Sequence, residues 1–210
     1  MGDRAAVDSR VVVLVVPLAP APDGNGLAMR AGMWLEALAP HARVHVVVVP
    51  VAGPAAPLDW TAARAARAEV VEPEWEPSIE RVLAQLADPA ERARLTRTAP
   101  LPWLARPVPT TLAVGAEAAL GPDVVGAAAV VILRSYLAPF GITLARHLRA
   151  GNVVVDLDDD DEELLRARGD VSEADAYDRL ARAWLPEADT VVAASTFGPY
   201  VRLPTNRTRA

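Results

Sequence analysis

Two apolar runs constrain this chain more than any other feature: RVVVLVV at residues 10–16 and RVHVVVVPV at 43–51. Both are rich in β-branched residues and lack the regular polar alternation of a strand with one wet face. Each therefore reads as a strand buried on both faces of a parallel sheet. Between them lie a loop, PLAPAPDGNG, and a segment, LAMRAGMWLEALAP, in which Leu27, Arg30, Ala31, Trp34, Leu35 and Leu38 keep helical spacing up to a stop at Pro40. Residues 10–51 are thus a strand, a helix and a second strand, joined by a crossover that should be right-handed.

The same pattern returns after the middle of the chain. DVVGAAAVVILRS predicts a strand over 130–133 that ends on Arg134 and Ser135, followed by a helix over about 137–149. NVVVDLDDDD predicts a strand over 153–157 with acids at its carboxyl end, then a helix over about 172–184 and a last strand over 189–195. Strands alternating with helices predict an α/β fold, a Rossmann-like, doubly wound and mostly parallel sheet with helices on both faces. From 53 to 109 the sheet signal fades into Pro-punctuated, Arg- and Glu-rich stretches, which read as a helical insertion over about 53–120 in a single domain spanning 1–210. Trp103, in the proline-rich stretch 100–109, reads as a packing residue.

Composition removes several classes of function. The chain of 210 residues is 52% hydrophobic and 23% charged, which is globular rather than disordered. It has no cysteine, which excludes disulfides, thiolate nucleophiles and cysteine-ligated zinc. A net charge of −6 argues against a nucleic-acid partner, which would favour a clustered basic face. All 21 basic residues are arginines, and together with the abundance of Ala, Val and Pro this resembles the product of a GC-rich bacterial gene. The N-terminus is polar and the apolar run behind it is too short to span a membrane, so a cytoplasmic protein is expected.

In open α/β sheets ligands bind outside the carboxyl ends of the strands. Four places qualify: Pro17–Gly26, Arg134–Tyr136, Asp156–Asp161 and Ser195–Gly198. In the first, Asp23, Gly24, Asn25 and Gly26 precede a helix N-terminus that favours an anion, although Asn25 serves equally as a plain N-cap. The dinucleotide fingerprint is missing, because no third glycine stands at the required offset and the second strand ends without an acid for a ribose. In the second, Arg134 is placed to meet an anionic group and Tyr136 offers a ring face and a hydroxyl.

The third place, VVVDLDDDDEELL, has competing readings. A strand ending in Asp-x-Asp resembles the haloacid dehalogenase-like phosphatases, with Asp156 as nucleophile, Asp158 handling the proton and both holding magnesium. That chemistry also uses a lysine, and the chain has none. Alternatively, Asp158 to Asp161 cap the following helix and complement its dipole. Calcium-loop spacing is absent.

Taken in order, VVVLVVPLAPAPDGNGLAMR with MWLEALA, LRSYLAPFG, and VVVDLDDDDEELL with EADTVVAAS resemble the N-terminal half of a GT-B glycosyltransferase of the family 4 kind. The resemblance implies a single acceptor-side domain, with the nucleotide-sugar donor held by a separate C-terminal domain or partner chain. It implies that Asp23, Gly24, Asn25, Gly26, Arg30, Arg134 and Tyr136 face acceptor and donor phosphate, while Asp156 and Asp158 form the cleft floor. It also implies metal-independent transfer with no cofactor beyond the nucleotide sugar as co-substrate, and a sugar, lipid or glycan acceptor with which a peripheral membrane contact is compatible. The histidine that many relatives carry after a middle strand has no counterpart in RSYLAPF, so no catalytic base is assigned. The chain reaches Ala210 without the acids that grip a donor, so it should be inactive or weakly active alone. The competing expectation is a non-catalytic Rossmann-like module that binds a partner chain.

Overall fold

The computed structural model describes residues 10–51, 57–74 and 101–193. Strands β1 (Val11–Val16), β2 (Arg43–Val48), β3 (Arg67–Val70), β4 (Ala129–Leu133), β5 (Val153–Asp156) and β6 (Thr190–Val192) form one sheet, ordered β3-β2-β1-β4-β5-β6, with every pairing parallel. The strand order begins at the centre with β1, builds outward to β3, then continues on the other side of β1 with β4 and builds outward to β6. The direction of winding reverses between β1 and β4, and at such a reversal the loops leaving the two strands diverge and open a crevice.

Alternate residues of β1 explain why the sheet needs a layer on each face. Val12, Leu14 and Val16 pack with Val44, Val46, Val48, Val131 and Leu133 against Ala31 and Leu35 of α1 (Gly26–Leu38). Val13 and Val15 point the other way, toward α3 (Leu112–Leu120), α4 (Ala138–His147) and α6 (Val171–Trp184), where Leu120, Phe140, Leu144 and Leu180 are buried. Period-2 alternation over an unbroken apolar run feeds two cores, which is the physical basis of double winding.

The Pro-punctuated middle differs from the expected helical insertion. A one-turn helix α2 (Asp59–Ala62) leads into β3, an edge strand paired with β2 from His45↔Arg67 to Val48↔Val70. Its sequence, RAEV, lacks an apolar run because an edge strand with half-buried side chains has no need of one. The insertion residues 75–100, and Ser195–Gly198 among the expected site loops, lie outside the described residues. Where the remaining elements were expected they form, with α4, β5 and α6 beginning or ending within three residues of the sequence reading.

Candidate functional site at the carboxyl edge

Asp156, the last residue of β5, is fully buried, yet its carboxylate is saturated. One oxygen, Oδ2, accepts from Arg30 Nε at 2.9 Å and Trp34 Nε1 at 2.5 Å. The other accepts from Arg30 Nη2 at 3.3 Å and from the Asp158 backbone N–H at 3.0 Å. Arg30 and Trp34 are four residues apart on α1 and so share one face, which places both donors over the end of β5. A carboxylate has about four lone-pair sites, and here each has a donor. Attack on phosphorus by Asp156 would have to give up at least one of these bonds from a fully buried position, which counts against the phosphatase reading.

Asp158 bridges the two arginines: its carboxylate lies 3.9 Å from Arg30 Nε and 3.4 Å from Arg134 Nη1. Arg134 follows β4 and reaches Asp159 at 3.2 Å; it also pairs with Asp161. The acid block thus divides its labour. Asp156 anchors α1, Asp158, Asp159 and Asp161 surround Arg134, and Asp160 caps α5 (Asp161–Ala167) by accepting from the Glu163 N–H at 3.0 Å.

These contacts set the ionisation states. Burial alone would weaken the charge on Arg134, but the carboxylates of Asp161, Asp159 and Asp158 outweigh it and hold its pKa above the ordinary value. Burial, helped by Asp159, Asp160 and Asp158, pushes Asp161 up to about 6 against the pull of Arg134. Burial also raises Asp158 above the usual carboxylate range. Tyr136 is 3% exposed, its phenol is pushed up by burial, and the Arg134 guanidinium lies 5.8 Å from its ring centroid. It presents neither a free ring face nor an ionisable hydroxyl.

The first loop approaches this network by a different route. Asn25 caps α1 through its side chain, accepting from the Leu27 N–H at 2.8 Å, and Gly24 takes φ 92°, which suits a residue without a Cβ. Asp23, Gly24, Asn25 and Gly26 are exposed, and among the described residues none hydrogen-bonds to the arginine–aspartate network. The loop is pinned from behind. Ala21 N–H donates to Ala28 O at 3.1 Å, Thr61 donates to Pro20 O at 3.1 Å, and a Cβ on Gly32 would stand 2.3 Å from Ala21 O.

Of the residues expected at the site, the fold brings Arg30, Arg134, Asp156 and Asp158 into one connected network, with Tyr136 beneath it. Trp34, outside the expected site residues, joins it from α1, and Asp161, expected within the acid block, joins it as a partner of Arg134. The signal for Trp34 was its spacing from Arg30; Asp161 stood in the expected acid block but was read as a helix cap, and Gly32, which packs against the first loop, carried no signal. Two guanidinium groups face four carboxylates, so the network is net negative. An anion gains little here, whereas Asp158 and Asp159, partly exposed and exposed, keep outward lone pairs that can accept from hydroxyl donors. Behind the acids, Ser135, Leu157, Asp161 and Tyr177 enclose a cavity of only about 20 Å³, the space of roughly one water, so any ligand must sit on the outer side. Among the described residues no cluster of His, Cys, Asp or Glu is arranged to hold a metal ion, and no helix is long and apolar enough to cross a membrane. No family model, curated protein or solved structure matches the chain.

Proposed function

We propose that this chain is an acceptor-side domain of a glycosyltransferase of the GT-B, family 4 kind, presenting a neutral, hydroxyl-rich acceptor at the carboxyl edge of its sheet. The nucleotide-sugar donor is held by a separate domain or partner chain. One observation carries the reading. At the β1/β4 crevice, the two arginines best placed to bind a phosphate are already engaged by aspartates, while Asp158 and Asp159 offer carboxylate oxygens outward. Such a surface suits sugar hydroxyls and disfavours a diphosphate. It supplies acceptor recognition, because hydrogen bonds to ionised acceptors are the stronger kind.

The test is saturation-transfer NMR on the full chain with a panel of neutral methyl glycosides. The reading predicts transfer to at least one glycoside, lost in Asp158→Ala and Asp159→Ala variants that keep the wild-type circular dichroism. Transfer that survives both substitutions, or that is seen for none of the glycosides, removes the acceptor role from this edge.

A further inference from the structure

A second cavity lies on the far side of Asp161 and Tyr177 from the small cavity behind the acids, where residues 103–104 face the α5–α6 hairpin. It has a volume of about 340 Å³, and Trp103, Leu104, Leu164, Leu165 and Tyr177 form its apolar wall. That volume falls within the range of small-molecule sites, roughly 300–1,000 Å³, at the end suited to one or two rings.

The wall is fixed in advance. The Trp103 backbone N–H donates to the buried carboxylate of Glu173 on α6 at 2.7 Å, and the Arg106 guanidinium stacks 3.7 Å from the Trp103 ring centroid. Arg106 is itself held, donating through Nε to Leu101 O at 2.9 Å. An aromatic wall that is ordered before binding loses little entropy when a ligand arrives.

The charged residues around the cavity differ in their availability. Three carboxylates line the cavity with one arginine, but Asp161 is paired with Arg134, Glu173 holds the Trp103 N–H and is attracted to Arg106, and Asp170 is also engaged, so their charges are drawn toward other partners. Arg168, at the C-terminal end of α5, is exposed and makes no side-chain hydrogen bond or ion pair among the described residues. The cavity therefore combines a preformed aromatic and aliphatic wall with one uncommitted guanidinium at its rim.

We propose that this cavity binds a small aromatic monocarboxylate, its ring against Trp103, Leu164, Leu165 and Tyr177 and its carboxylate on Arg168. The proposal is independent of the acceptor role at the carboxyl edge. Two ring-bearing wall residues favour a planar aromatic body, and a guanidinium favours a carboxylate over an alcohol or an amine.

Isothermal titration of the full chain with phenylpropionate, phenylpropanol and phenylpropylamine tests it, since the three share one body and differ only in the head group. Phenylpropionate should bind most tightly. Arg168→Gln should weaken it by about fivefold, the order of one exposed ion pair, and leave phenylpropanol unchanged. Leu164→Trp, at a residue 42% exposed and so tolerant of a larger side chain, should fill the cavity and abolish binding. Tighter binding of the amine, equal binding of all three, no binding of any, or insensitivity to both substitutions would overturn the proposal. Glycoside binding at the carboxyl edge should survive Leu164→Trp, which keeps failure here distinct from failure there.

Discussion

Arg134 and Asp158, which follow the carboxyl ends of β4 and β5, both take positive φ, 80° and 61°, and their side chains pair at 3.4 Å. Asp tolerates the left-handed region, and here the Asp158 N–H also donates to the carboxylate of Asp156. Arginine has no such excuse, and its backbone is strained by something on the order of 1–3 kcal/mol. Neighbouring strands hold it in place, because the Arg134 N–H donates to Asp156 O at 2.7 Å while its guanidinium is gripped by three aspartates. The consequence is a crevice wall whose backbone and charges are fixed by one another.

Arg134→Gly separates the two contributions. The glycine relieves the backbone but strands Asp161, mostly buried, without its cation. Net destabilisation at pH 7 should be about 2 kcal/mol, the roughly 3–5 kcal/mol of a broken buried pair less the roughly 1–3 kcal/mol of relieved strain. At pH 5 the cost should shrink, because an Asp161 that has taken up a proton no longer needs a partner. Urea unfolding at the two pH values measures both.

Asp161→Asn tests the pH dependence. Asp161 is pushed up to about 6 in the folded chain from an ordinary 3.8, so between those values the native state holds a proton that the unfolded state has released. Its contribution is therefore fully present below about pH 4 and is lost as pH rises through 6, with a size on the order of 2–3 kcal/mol. The wild-type stability profile should fall across that window relative to Asp161→Asn. Parallel profiles for the two proteins would mean that Asp161 titrates normally.

His45 produces the opposite slope. Its ring is 3% exposed, neither nitrogen has a hydrogen-bond partner among the described residues, and burial, with Arg43 and Arg67 adding to it, lowers its pKa. Below about pH 6.5 the unfolded chain takes up a proton that the folded chain resists, so stability drops with falling pH. A His45→Val variant should lose that acid-side decline while matching or exceeding the wild type at pH 8, as judged by melting temperature across the range.

Gly32→Ala tests how the first loop is held. A Cβ there would meet Ala21 O at 2.3 Å, a backbone atom that cannot turn aside. The substitution should cost about 1–3 kcal/mol and detach the loop from α1. Hydrogen exchange at the Ala21 amide, which donates to Ala28 O, should accelerate in the variant. Unchanged protection would show that the loop is positioned by other contacts, such as the one from Thr61.

Much of this architecture was legible because burial on both faces leaves an unmistakable trace. VVILR and VVVD read as buried parallel strands, and their carboxyl ends mark Arg134 and Asp156 before any contact is known. Strand β3 escaped because RAEV at a sheet edge needs neither apolar faces nor β-branched runs. The site was legible in membership but not in wiring. Sequence spacing groups Arg30 with Trp34 on one face of α1, but only the fold brings it within reach of Asp156, 126 residues away. That long-range pairing turns an apparent phosphate-binding arginine into the partner of a buried acid. Equally, DLDDDD looks like one charged block, yet its members separate into an anchor, a bridge, a cap and a buried ion pair.

Calorimetric titration of the full chain with nucleoside diphosphates alongside the glycosides distinguishes an acceptor edge from a phosphate site. With Arg30 and Arg134 engaged by aspartates, glycoside binding without measurable heat from a nucleoside diphosphate is the predicted result. A nucleoside diphosphate that binds this chain alone, with affinity lost in Arg134→Gln, would contradict the account, because the arginine would then have to leave its carboxylates for a phosphate.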